Sequence, residues 1–158
     1  MADLTSFIKS LKKLFGILDY PKKTGVISGI DTVVALKNAV GKDTTIMLSD
    51  MYFSLTSKDE AQRFSAETNV DAAKFIVEGH DCDNFSMALM GYWNRGLVSY
   101  PFGFALSASH AFNIFIDDQK QVWIVEPQKN KFMRVEEAKQ IKDQTTNQPY
   151  FPIKFIFI

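Results

Sequence analysis

The chain has 158 residues, the size of one domain, and 46% of them are hydrophobic, so it can bury a core without disulfide or metal staples. Basic and acidic side chains balance at 18 each, which leaves no basic field for nucleic acid and no acidic tail. One cysteine excludes an internal disulfide and fits a reducing compartment, and no apolar run reaches the ~18–20 residues of a membrane span, so the expectation is a cytoplasmic protein without a membrane span (host cytoplasm, if virus-encoded).

Leu4, Phe7, Ile8, Leu11, Leu14, Phe15 and Leu18 recur at helical spacing, with Lys9, Lys12 and Lys13 on the other face and Pro21 as a stop. A second helix is predicted over 28–40, with Ser28 and Asp31 as a capping box and Gly41 as terminator. TTIML (44–48) reads as a strand or an extended segment. Ser57 and Glu60 open a third helix before Ala61 and Phe64, and DAAKFIVEG (71–79) holds a further helical turn.

In HDCDNFS (80–86) the sole cysteine, Cys82, stands between two aspartates. Phe85, Ala88, Leu89, Tyr92 and Trp93 then form an apolar helical face with Asp81 as natural N-cap, which puts Cys82 in the first turn. From Phe102 the pattern changes. FGFALSAS, AFNIFID, QVWIVEP, KFMRV and PIKFIFI are aromatic and β-branched runs separated by turn signals. Helices in the first half and antiparallel strands in the second predict an α+β fold. The chain is expected to be a single domain, with 1–45 as a helical N-terminal segment and 46–158 as the core.

A reactive cysteine needs an acidified thiol, which a helix N-terminus favours, and a base held by a third polar group. His110 opens a strand whose hairpin partner ends in Glu126 and Gln128. A loop at 117–119 sets His110 opposite Glu126, a loop at 118–120 sets it opposite Gln128, and a two-residue loop at 118–119 gives neither. His80 is only two residues from Cys82, so it would need a sharp turn to serve as base, and it reads as a loop residue or subsite wall. A metal site from His80, Asp81, Cys82 and His110 lacks the paired spacing of a zinc site.

DCDNFSMAL, HAFNIFID and VWIVEPQ, in that order over about residues 74–133, resemble the papain-like cysteine peptidase domain of fungal agglutinins (lectin–peptidase chimeras) and related phage-encoded single-domain proteins. The resemblance implies a nucleophile helix packed on an antiparallel sheet. It makes Cys82 the nucleophile, His110 the general base, Glu126 the third member of a triad, and Gln128 a supporting hydrogen-bond partner. Asn113 either orients the base or pairs with backbone. The implied activity is hydrolysis of peptide or isopeptide bonds through a thioester, on a protein or peptide substrate and with no required cofactor. Calcium is the ion that the resemblance brings, with Asp81 and Asp83 as candidate ligands, although Asn84 stands where the family tends to have aspartate. Two other readings use the same residues differently. One is transglutaminase-like acyl transfer on the same triad. The other is a non-enzymatic, viral-type effector that docks through the N-terminal helix or the C-terminal strand.

Overall fold

The computed structural model describes residues 7, 11, 18–144 and 146–158. The amphipathic helix expected over 4–18, with its three lysines, lies outside these residues apart from Phe7 and Leu11, which are helical and exposed, and Leu18, which is not helical.

Strand β1 (Gly25–Ser28) leads into helix α1 (Gly29–Val40), where the Ser28 hydroxyl accepts from the Asp31 N–H as its capping residue should. Strands β2 (Thr45–Met47) and β3 (Tyr52–Leu55) precede helix α2 (Lys58–Glu67), which is capped by Ser57. Of the helical turn expected over 71–79, only a 3-10 turn at Val70–Ala72 forms, and the chain then closes a tight loop through the bridge between Ile76 and His80. Helix α3 (Cys82–Trp93) follows, then strands β4 (Phe102–Leu106), β5 (Ala111–Ile116), β6 (Val122–Glu126) and β7 (Lys131–Arg134). The short helix α4 (Val135–Ala138) and strand β8 (Phe155–Phe157) complete the described elements.

A two-stranded sheet pairs β1 with β3, and a six-stranded sheet runs β2-β8-β4-β5-β6-β7. Both sheets correct the expected papain-like α+β layout. Two undeclared strands, β1 and β3, fall in the half of the chain read as helical, because GVIS and YFSL are too short to declare themselves until they pair across 24 or more residues. The main sheet is also mixed rather than antiparallel, since β8 runs antiparallel to β4 and parallel to β2.

The period of two along β5 divides the core. Phe112, Ile114 and Ile116 join Ile27, Leu36 and Val40 on the α1 side, while Phe115 joins Phe64, Phe85, Leu89 and Trp93 on the α3 side. Covered on both faces, β5 is buried at every position, which explains its near-continuous apolar sequence. Trp93 stacks on Phe102 with ring centroids 4.4 Å apart and planes 6° from parallel. Each such ring contributes roughly 1.5–3 kcal/mol through burial. This packing fixes the far end of α3, so that its N-terminus meets the start of β5.

Candidate thiol site

Cys82 is the first residue of α3, after the N-cap Asp81. The Asn84 side chain accepts from the Asp81 N–H at 3.1 Å, which sets the angle at which the chain enters the helix. The fully buried Asn113 donates through Nδ2 to the carbonyls of Ser86 (2.9 Å) and Gly103 (3.0 Å). It thus joins the first turns of α3 to β4 through the backbone, the second of its two expected roles. Cys82 Sγ accepts from the Ala111 N–H at 3.5 Å, so the sulfur rests against the start of β5 and remains partly exposed.

His110 is presented by a tight turn. The Ser107 N–H donates to the His110 carbonyl (2.9 Å), and the His110 N–H donates to the Ser107 hydroxyl (3.2 Å). Its Nε2 lies 2.9 Å from Glu126 Oε2, and both side chains are almost wholly removed from water. The observed register pairs Asn113 with Val125 and Ile116 with Val122, and continued outward it sets His110 opposite Gln128. The backbone therefore follows the second of the expected registers, and His110 reaches Glu126 diagonally. Glu126 Oε1 accepts from the backbone N–H of Gln128 at 3.2 Å, so Gln128 supports the carboxylate through its main chain rather than its amide.

With Nε2 engaged by Glu126, Nδ1 is the ring atom left for the thiol. Burial works against a charged imidazole, but polar interactions with Cys82 and Glu126 and their charges outweigh it and raise the His110 pKa to about 9. The shift favours the imidazolium form at neutral pH. One ring nitrogen is fixed by a buried carboxylate, and the other, Nδ1, is buried without a hydrogen-bond partner among the described residues.

His80 packs its ring on Phe85 with centroids 4.7 Å apart, as a loop residue would. Asp81 and Asp83 are close enough to share a hydrogen bond, which raises the Asp83 pKa. No third potential ligand among the described residues joins them. The one group of three that does converge is His110, Glu126 and Asp143, with ligand atoms within 4.8 Å of one another. Two of those atoms already bond each other, and Lys129, Lys131 and Lys142 line the ≈ 40 Å³ cavity beside Glu126 and Asp143. These donors fit a proton-holding network better than a cation site. Sequence reasoning missed Asp143 and Tyr150, because they lie in an irregular segment whose composition gives no spacing signal. A larger cavity, ≈ 460 Å³, lies elsewhere, between the start of α1 and the β2–β3 connection.

No family model matches the chain, and no curated protein matches it. Similar solved structures include the "PSL1a-E64 complex", at 18% identity and a TM-score of 0.63 over 86% of this chain and 52% of that one. Another is a Polyporus squamosus lectin bound to the human-type influenza-binding epitope Neu5Acα2-6Galβ1-4GlcNAc, at 16% identity and a TM-score of 0.62 over 86% of this chain and 50% of that one. The likeness is one of fold, and the chain spans about half the length of each matched structure. These findings correct the family expectation. The matched structures carry the names PSL1a and lectin, and no peptidase family model or curated peptidase matches, so membership of a peptidase family, the papain-like fold label and the hydrolase activity are withdrawn. The alternatives that accompanied them, acyl transfer and the viral effector, are withdrawn as well. Among the described residues no helix is long and apolar enough to cross a membrane.

Proposed function

We propose that Cys82, His110 and Glu126 form a nucleophilic thiol site, in which Cys82 supplies the sulfur, His110 holds and returns the proton, and Glu126 fixes the imidazole. The observation that carries this reading is the buried 2.9 Å contact between His110 Nε2 and Glu126. It leaves the other ring nitrogen beside a partly exposed sulfur at a helix start. The positive end of α3 and the imidazolium both adjoin that sulfur. Sulfur attack on an electrophilic carbon forms a C–S bond and breaks a bond from that carbon to a heteroatom, which takes the proton from His110. An epoxide such as the epoxysuccinyl compound E64, with which the similar PSL1a forms its complex, is a direct probe. Its ring carbon bonds to sulfur and its ring oxygen becomes a hydroxyl.

The test is the rate of Cys82 modification by iodoacetamide and by E64 at pH 7, followed by intact mass. The native chain is expected to form a single adduct, roughly tenfold or more faster than His110→Ala. Equal rates in the two proteins would remove His110 from the site.

A second reading, glycan binding, is favoured by the likeness of fold to a lectin that holds a sialylated glycan. The ≈ 460 Å³ cavity is lined mainly by Ile30, Val33, Val34, Leu48 and Met51 and includes the exposed Tyr52 ring and Asp50, an aromatic face and a carboxylate that a sugar could meet. Calorimetric titration with Neu5Acα2-6Galβ1-4GlcNAc tests it. Saturable heat that Tyr52→Ala abolishes would support this reading, and no heat at millimolar sugar would refute it.

A further inference from the structure

Beyond the three residues of the thiol site, a fourth buried group touches Glu126 from behind. Tyr150, 2% exposed, donates its hydroxyl to Glu126 Oε2 at 2.9 Å, the same oxygen that meets His110 Nε2. Its ring stands edge-on to the His110 ring, with centroids 5.1 Å apart, and also to Phe112 at 5.2 Å. The buried Asp143 carboxylate also lies beside the phenol, a competitor for its single proton, and its other contacts hold the turn at Thr146. The segment that carries Tyr150 is tied to the turn that carries His110, because the Ser107 hydroxyl donates to the Pro149 carbonyl at 2.7 Å.

We propose that Tyr150 is a positioning residue for the thiol site, whose hydroxyl orients Glu126 toward His110 and sets how much of the carboxylate's charge the imidazolium receives. The inference rests on the reading of Cys82, His110 and Glu126 given above. A carboxylate oxygen that accepts from two donors divides its charge between them, so each hydrogen bond weakens the other. Burial and the adjoining carboxylates raise the phenol's pKa, so it stays a donor at any ordinary pH. The groups that face His110 are Cys82 from α3, Glu126 from β6, and Tyr150 and Asp143 from the segment before β8, while Lys129, Lys131 and Lys142 line the cavity behind Glu126.

Tyr150→Phe removes the oxygen and keeps the ring that packs on His110 and Phe112. The experiment follows the His110 imidazole resonances by NMR from pH 6 to 10.5 in the native chain and in Tyr150→Phe, with the Cys82 alkylation rate measured in both and in His110→Ala. Without the competing donor, Glu126 gives its full charge to the imidazolium. The His110 midpoint should then rise by roughly 0.5 pH unit or more. A packing role alone would change the unfolding midpoint and leave this titration where it was. If His110→Ala slows alkylation but Tyr150→Phe leaves the midpoint unchanged or lowers it, the role of Tyr150 is overturned and the thiol site stands. If His110→Ala does not slow alkylation, the site itself fails and the role of Tyr150 fails with it.

Discussion

Buried His110, with Cys82 and Glu126 beside it, makes the stability of the fold depend on pH in a direction that can be worked out. The folded pKa of His110 is raised to about 9, against 6.5 for an unperturbed imidazole. Below pH 6.5 both the folded and the unfolded chain carry the proton, so the full stabilisation is present. Between pH 6.5 and 9 the folded chain keeps a proton that the unfolded chain has released, and unfolding free energy falls as pH rises. Above 9 neither state carries the proton, and the contribution is gone. At 1.36 kcal/mol per pKa unit the gap amounts to about 3 kcal/mol, with a slope near 1.4 kcal/mol per pH unit in mid-window. This is a large share of the ~5–15 kcal/mol that holds a typical domain together. Urea unfolding at half-unit steps from pH 6 to 9.5, in the native chain and in His110→Asn, isolates the effect as the difference between the two curves. That difference should shrink steadily across the window. A difference that stays flat, or grows with pH, would refute the charged pair.

Two further outcomes follow from the packing. Gly103 faces the backbone of Phe157 and the side chain of Ile158 so closely that a Cβ would collide with both. Gly103→Ala should force β4 and β8 apart and cost about 2–3 kcal/mol, read as a lower urea midpoint. Asn113→Ala removes both buried donors that join α3 to β4. It should cost about 2–4 kcal/mol in urea unfolding and slow Cys82 alkylation, since the sulfur rides on the helix that Asn113 anchors.

Much of the site was legible in the sequence because its parts are local. An aspartate before an apolar helical face marks a helix start, so Cys82 had to sit in the first turn, and it does. The β5–β6 hairpin was legible as two apolar runs around DDQK, although its register was not. Asp117 decides that register: its Oδ1 accepts from the N–H groups of Gln119 and Gln121, and its Oδ2 accepts from Trp123 Nε1. An aspartate's choice among turn partners has no signature in composition. The pairings of β1 with β3 and of β2 with β8 were illegible for another reason. Three- and four-residue strands carry too little periodicity to be read alone, and their partners lie far along the chain. Tyr150 was missed on similar grounds, since it reaches Glu126 across 24 residues from a segment with no regular structure. The family resemblance came from three short motifs, and similarity over 86% of the chain to structures of other names outweighs it.

The place of β8 bears on when the contacts around Glu126 are completed during folding. Residues 155–157 fill the gap between β2 and β4, and the stretch just before them brings Tyr150 to Glu126. Helix α3 and the β5–β6 hairpin are contiguous and can form early, whereas β2 finds its partner only across more than a hundred residues. A nascent chain would therefore hold Cys82 and His110 close together well before Glu126 acquires its second donor and the sheet its middle strand. The final sharing of the Glu126 charge between His110 and Tyr150 is then a late event, coupled to closure of the sheet, and a chain that stalls before β8 docks would present two bare strand edges and an unfinished proton network.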